Sequence, residues 1–67
     1  MSKHHAIELM ANVNTLVSKI YDIYVYNACV RQEAFDMVML SYSKKARANV
    51  KHQLMLFAGY EWDSVKV

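Results

Sequence analysis

The sequence predicts an all-α fold: a helical hairpin of two long helices that dimerises into a four-helix bundle, with a short extended C-terminal tail. Three observations carry this expectation. Apolar residues recur at helical spacing through most of the chain. There is no proline and a single glycine, Gly59, so the punctuation that sheets and tight turns need is missing. The apolar stripe of the first helix is also wider than a chain of 67 residues is expected to cover by itself.

Helix 1 is expected over about residues 4–28. Ala6, Leu9, Met10, Val13, Leu16, Val17, Ile20, Ile23, Tyr24, Asn27 and Val30 follow the repeating 3, 1, 3 spacing of one helix face. Ser2 could cap it, although position 5 is His rather than the Glu or Gln of a capping box. Only Glu8, Lys19 and Asp22 are charged between Ala6 and Val30. So uncharged a helix implies cover on two faces. Leu9, Val13, Leu16, Ile20, Ile23 and Tyr24 are therefore expected to form the core of a homodimer. Ile20 to Tyr26 is rich in β-branched and aromatic residues and could be read as a strand. The helical stripe passes through it without a break in phase, which favours helix.

The connection falls within Asn27 to Gln32, where neither Gly nor Pro fixes its place. Asn27 is the best turn residue, because Asn tolerates left-handed backbone. A helix continuous through this region is the alternative, and it would require a longer coiled dimer.

Helix 2 is expected over about residues 33–58, with Phe35, Met39, Tyr42, Ala46, Val50, Leu54 and Phe57 on its buried face. Their spacing averages about 3.67 residues, closer to an eleven-residue repeat than to a heptad. Ser41 and Ser43 mark where this helix could break, since serine competes for backbone hydrogen bonds. Gly59 is the expected stop, a glycine just past the last periodic residue, with Tyr60 folding back on Leu54 or Met55. The tail, residues 59–67, alternates apolar and polar side chains from Tyr60 on and reads as extended, with Tyr60 and Trp62 as large anchors. All of this is one small domain, residues 1–67.

The net charge of +2 is unevenly spread. Residues 1–34 balance, whereas no acidic residue lies between Met37 and Tyr60. Lys44, Lys45, Arg47 and Lys51 make a basic cluster there, and Lys44, Arg47 and Lys51 share one helix face. Such a face could neutralise phosphates. A helix-turn-helix reading, with residues 31–41 and 44–58 as its helices, offers Arg47, Asn49 and Gln53 for base contacts. It lacks the glycine common in that turn. Met37, Leu40 and Met55 lie on or beside the same basic face, and Met and Leu beside charge form adaptable protein-binding surfaces.

Chemistry finds no foothold in the sequence. His4, His5, His52 and Cys29 have no metal-ligand spacing. No paired acid and base, phosphate loop or nucleophile motif is present. A single cysteine excludes an internal disulfide and suggests a reducing compartment. No secretory signal or membrane-length apolar run is visible, so a cytoplasmic location is expected. Membrane attachment through helix 1 is disfavoured, because its polar face has almost no Lys or Arg for anionic lipid.

The sequence thus points to a non-enzymatic regulatory protein without cofactor, metal or small-molecule substrate. It is expected to self-associate and to bind another protein, as an inhibitor or adaptor of the kind common among mobile-element proteins. The expected partner-binding residues are Met37, Leu40, Lys44, Arg47, Lys51, Tyr60 and Trp62. The alternative is a dimeric nucleic-acid-binding transcriptional regulator that uses Lys44, Lys45, Arg47 and Lys51.

Overall fold

Helical spacing without proline produces three α-helices where the hairpin reading expected two. The computed structural model describes the backbone of residues 3–67 and, from Asn12 onward, the side chains. Helix α1 spans Lys3–Asn27, α2 Arg31–Met39 and α3 Lys44–Ala58, and a 3₁₀ turn follows over Tyr60–Ser64. No strand is present among the described residues. None of the described helices is long and apolar enough to cross a membrane. The cap expected at Ser2, and the burial expected of Ala6, Leu9 and Met10, lie outside the described residues and side chains, as do the side chains of His4 and His5.

The breaks differ in how far local sequence accounts for them. α1 runs to Asn27, and the left-handed residue is Ala28, with φ 51°, one place beyond the expected turn residue. Here the fold imposes a conformation that alanine disfavours. The Cys29 thiol reaches back to the Ile23 carbonyl at 3.8 Å. Val30 is extended and its carbonyl accepts the first α2 bond, from Ala34 N–H at 3.1 Å.

The long second helix is divided at residues 40–43, the place the two serines marked. The Leu40 N–H still reaches the Asp36 carbonyl, and the Tyr42 N–H closes a turn on Met39 at 3.0 Å. Ser43 is then extended, and its Oγ accepts the Ala46 N–H at 3.2 Å. That is an N-cap, which satisfies a donor the first turn of α3 would otherwise leave free.

α3 ends at Gly59, whose N–H donates to the Met55 carbonyl at 3.0 Å. Its φ of 120° and ψ of 162° lie outside the left-handed well and in a region open almost only to glycine. The chain then turns as a 3₁₀ helix instead of extending. Alternation would put Trp62 and Val65 on opposite sides of a strand, whereas a 3₁₀ turn brings residues three apart onto one side. Both are buried, with exposures of 2% and 1%. Tyr60, expected to fold back, is exposed.

The core is made by Val17 and Ile20 of α1, Ala34, Phe35 and Met39 of α2, Val50 and Leu54 of α3, and Trp62 and Val65 of the tail. Val13, Leu16, Ile23 and Tyr24 pack partly against it. Among the described side chains of the helix 1 stripe, Val17 and Ile20 are thus buried and Val13, Leu16, Ile23 and Tyr24 half-buried against α2, α3 and the tail of the same chain. Ile20 is fully buried within the single chain, and Tyr24 meets Trp62 edge to face at 5.1 Å. Asn27 and Val30, at the end of the stripe, are exposed, and so are Tyr42 and Phe57 of the face expected to be buried on helix 2. Dividing that helix rotates Tyr42 into the turn, and Phe57 lies against Tyr21 at the rim of the core.

Candidate interaction surfaces

The four cations of the basic cluster separate into two kinds. Lys44 and Lys45 are exposed in the first turn of α3. Arg47 is turned inward. Its Nη2 donates to Asp36 Oδ1 at 2.8 Å, its Nη1 to the Met39 carbonyl at 3.3 Å, and its guanidinium lies 5.1 Å from the centre of the Phe35 ring. Nη2 is also 3.5 Å from the Lys66 carbonyl. With its side chain 13% exposed, Arg47 ties α2, α3 and the tail together. Lys51 lies 3.7 Å from Asp63, a mostly exposed carboxylate, so this pair is weak. Arg47 is thus corrected from a contact residue to a structural one, because a guanidinium can satisfy several acceptors at once.

Trp62 is corrected in the same sense. Its ring is enclosed by Tyr24, and the Arg31 guanidinium lies 5.8 Å from its centre and 5.3 Å from that of Tyr24. It anchors the chain's own tail. Tyr60 remains exposed, but it follows α3 at the end opposite Lys44. At about 1.5 Å per residue the length of α3 separates the two by roughly 20 Å. The seven residues expected to bind a partner do not form one surface.

Met37 and Leu40 do remain available. With Val30 and Glu33 they follow steps of 3, 4 and 3 residues along the outer face of α2. Val30, Met37 and Leu40 are 61%, 65% and 76% exposed. Val30 and Glu33 were not anticipated here. Val30 continues the spacing of the helix 1 stripe, and only the break at Ala28 makes it the N-cap residue of α2.

A second apolar surface follows the seam of α1 and α3. Tyr21 and Phe57 meet edge to face at 5.7 Å, beside a groove of about 330 Å³ lined by Asn14, Val17, Ser18, Gln53, Leu56 and Phe57. Leu56 and Phe57 are both more than half exposed. Across α1 from this groove, Val13, Leu16, Tyr42 and Val50 border a smaller one of about 220 Å³. Tyr21 and Leu56 lie off the main stripe, so periodicity alone gave no reason to single them out.

Among the described residues, no group of three or more His, Cys, Asp or Glu side chains could hold a metal ion. Cys29 is a free, half-buried thiol. The geometry offers helical faces and the grooves between packed elements for contact. Comparison with protein-family models, with curated proteins and with solved structures finds no match to this chain.

Proposed function

We propose that this chain is a small non-enzymatic regulatory protein that self-associates and binds another protein to modulate its activity, as an inhibitor or adaptor. The observation that carries the reading is the exposure of Met37 on α2 together with that of Val30 and Leu40, the residues that cap its two ends. A short amphipathic helix whose apolar residues face outward is suited to a hydrophobic groove on a partner. Methionine at its centre lets the contact adapt in shape. Glu33 on the same face adds a charge that a partner's cation could meet. The test is capture of partners by the tagged chain in nuclease-treated lysate of its host, in parallel with Met37→Glu and Leu40→Glu. A protein held by the wild type and lost by both variants supports the reading. Identical capture by all three removes α2 as the contact.

A second reading, a dimeric nucleic-acid-binding regulator, draws on one specific feature. α2 and α3 are joined by a four-residue connection, residues 40–43, of the length used in helix-turn-helix units. Lys44, Lys45, Asn49, His52 and Gln53 are exposed on α3. With Arg47 engaged inside the chain and Lys51 held only weakly by Asp63, Lys44 and Lys45 are the freest cations of the cluster to meet phosphate. This reading predicts a shallow salt dependence of binding that the Lys44→Gln, Lys45→Gln pair abolishes. Absence of binding to duplex DNA at low salt would exclude it.

A further inference from the structure

We infer that the seat of the C-terminal tail is a recognition site for a Trp-x-x-Val-Lys segment, and that two copies of this chain fill each other's seats by exchanging tails. The inference rests on the reading of the chain as self-associating and gives that association a mechanism.

All three helices build the seat, and each grips a different feature of the segment or shares one. Tyr24 of α1 meets the Trp62 ring at 5.1 Å, and the Arg31 guanidinium of α2 lies 5.8 Å from the centre of that ring. Val65, three positions on, is 1% exposed within the core. Gln32 of α2 holds the Lys66 main chain by one accepted and one donated bond, at 2.7 and 3.1 Å, and Arg47 of α3 adds a longer one at 3.5 Å. Side-chain pockets combined with main-chain hydrogen bonds are the means by which proteins recognise extended peptides. The occupant is therefore on view: it is this chain's own segment, and a second copy carries the same segment by identity.

The tail is docked onto the helices rather than woven into them. The Trp62 N–H donates to the Gly59 carbonyl at 3.3 Å, the Val65 N–H to the Trp62 carbonyl at 3.1 Å, and the Ser64 Oγ to the Glu61 carbonyl at 3.0 Å. Among the described residues, no bond between main-chain groups joins residues 60–67 to a helix. The bonds that do hold Lys66 are solvent-exposed. Between the tail and α3 lies a groove of about 370 Å³ bordered by Lys51, His52, Met55 and Asp63, and the Lys51–Asp63 pair across it is weak.

One residue selects which chain's seat the tail enters. Gly59 directs it onto its own chain with φ 120° and ψ 162°, a conformation nearly closed to any residue with a Cβ. In an exchanged pair the tail leaves α3 in another direction and that conformation is not needed. Both seats are filled in the pair, so the burial of Trp62 and Val65 is kept, and exchange costs the association of two chains. A short tether presents the tail to its own seat at an effective concentration of about millimolar. Exchange by the wild type therefore belongs to high protein concentration, and a penalty on the Gly59 turn lowers the concentration required.

The test has two arms. In the first, the full chain carrying Trp62→Ala receives a synthetic peptide of residues 59–67. Its Tm should rise with peptide concentration, as for a ligand that binds only the folded state. If the variant is unfolded, the peptide should restore its helical circular dichroism. A peptide that itself carries Trp62→Ala should do neither. In the second arm, the full chain carrying Gly59→Ala is followed by sedimentation equilibrium from micromolar to sub-millimolar concentration. It should approach twice 7.8 kDa, and excess wild-type peptide should return it to the monomer mass. If Gly59→Ala does not fold, the wild type refolded from urea at sub-millimolar concentration takes its place, with the same two results expected. A Trp62→Ala chain indifferent to the peptide overturns the inference. So does a monomer in the second arm, or a dimer that excess peptide leaves intact. That last dimer would preserve self-association, and partner capture that depends on Met37 and Leu40 is measured separately, so failure of the exchange and failure of the proposed function are distinguishable.

Discussion

Gln32 grips the main chain of Lys66 from both directions. Its Oε1 accepts the Lys66 N–H at 2.7 Å and its Nε2 donates to the Lys66 carbonyl at 3.1 Å. One side-chain amide thus does for the tail what a neighbouring strand does for an edge, closing a pair of hydrogen bonds with extended backbone. The same Nε2 lies 3.2 Å from both Asp36 carboxylate oxygens, which orients the amide. Gln32, Asp36 and Arg47 form a polar clasp over the tail, and Trp62 and Val65 form the apolar plug beneath it.

The clasp predicts an asymmetry between two substitutions. Gln32→Ala should cost about 1 kcal/mol, since both bonds are solvent-exposed and worth less than buried ones. Gln32→Glu should cost at least as much despite its equal size, because it removes the donor to the Lys66 carbonyl and sets a second carboxylate beside Asp36. Urea unfolding of the two variants gives the comparison, and hydrogen exchange at the Lys66 amide reports whether the tail has loosened.

Trp62 belongs to the plug, so Trp62→Ala should unfold the chain or come close to it. Removing a buried tryptophan costs about 3–5 kcal/mol, against a net stability of about 5 kcal/mol for a domain of this size. Thermal unfolding followed by circular dichroism would show it. A Trp62→Ala chain that melts as the wild type does would instead make the tail dispensable and return Trp62 to the list of surface anchors.

The buried position of Trp62 marks the limit of what spacing could reveal. Helical content, the burial of Val17, Ile20, Phe35, Met39, Val50 and Leu54, and the stop at Gly59 all follow from spacing and from one glycine. The stripe on α1 was visible, but what would cover it was not. Periodicity reports that a face is buried, without saying whether the cover is another helix, the tail or another chain. Trp62 looked like a free anchor because alternation in Tyr60–Val67 suggests a strand. The 3₁₀ turn depends on Gly59 entering a conformation that no local pattern specifies. Arg47 read as part of a basic face because its partner, Asp36, is eleven positions away on another helix. Val30 left the stripe of α1 because the break falls at an alanine, a residue that gives no warning of positive φ.

That break supplies a stabilising prediction. Ala28 holds φ 51° with a Cβ that disfavours it, and left-handed backbone costs about 1–2 kcal/mol in a residue other than glycine. Ala28→Gly should therefore raise stability by about 1 kcal/mol after the added flexibility of the unfolded chain is allowed for. In a domain of this size that is about 4–8 °C in Tm. Gly59→Ala should act in the opposite sense, by about 1–3 kcal/mol, because its φ of 120° with ψ 162° is nearly closed to alanine. A new Cβ there would also meet the Glu61 carboxylate, although that side chain can swing away.

Two neighbouring cations should respond very differently to conservative change. Arg47→Lys keeps the charge but loses the planar fork that reaches Asp36 and the Met39 carbonyl together and lies against Phe35. An ammonium can hold one of these partners, leaving the other to water or unpaired, so a loss of about 1–2 kcal/mol is expected. Lys44→Gln removes a whole charge from an exposed position at the start of α3, where a cation faces the positive end of the helix dipole. Its stability should change by no more than about 0.5 kcal/mol, and the dipole term makes any change favourable. Chemical unfolding of both variants measures the contrast. If Lys44→Gln were the more damaging, the basic cluster would have to be returned to the stability of the fold and Arg47 to its surface.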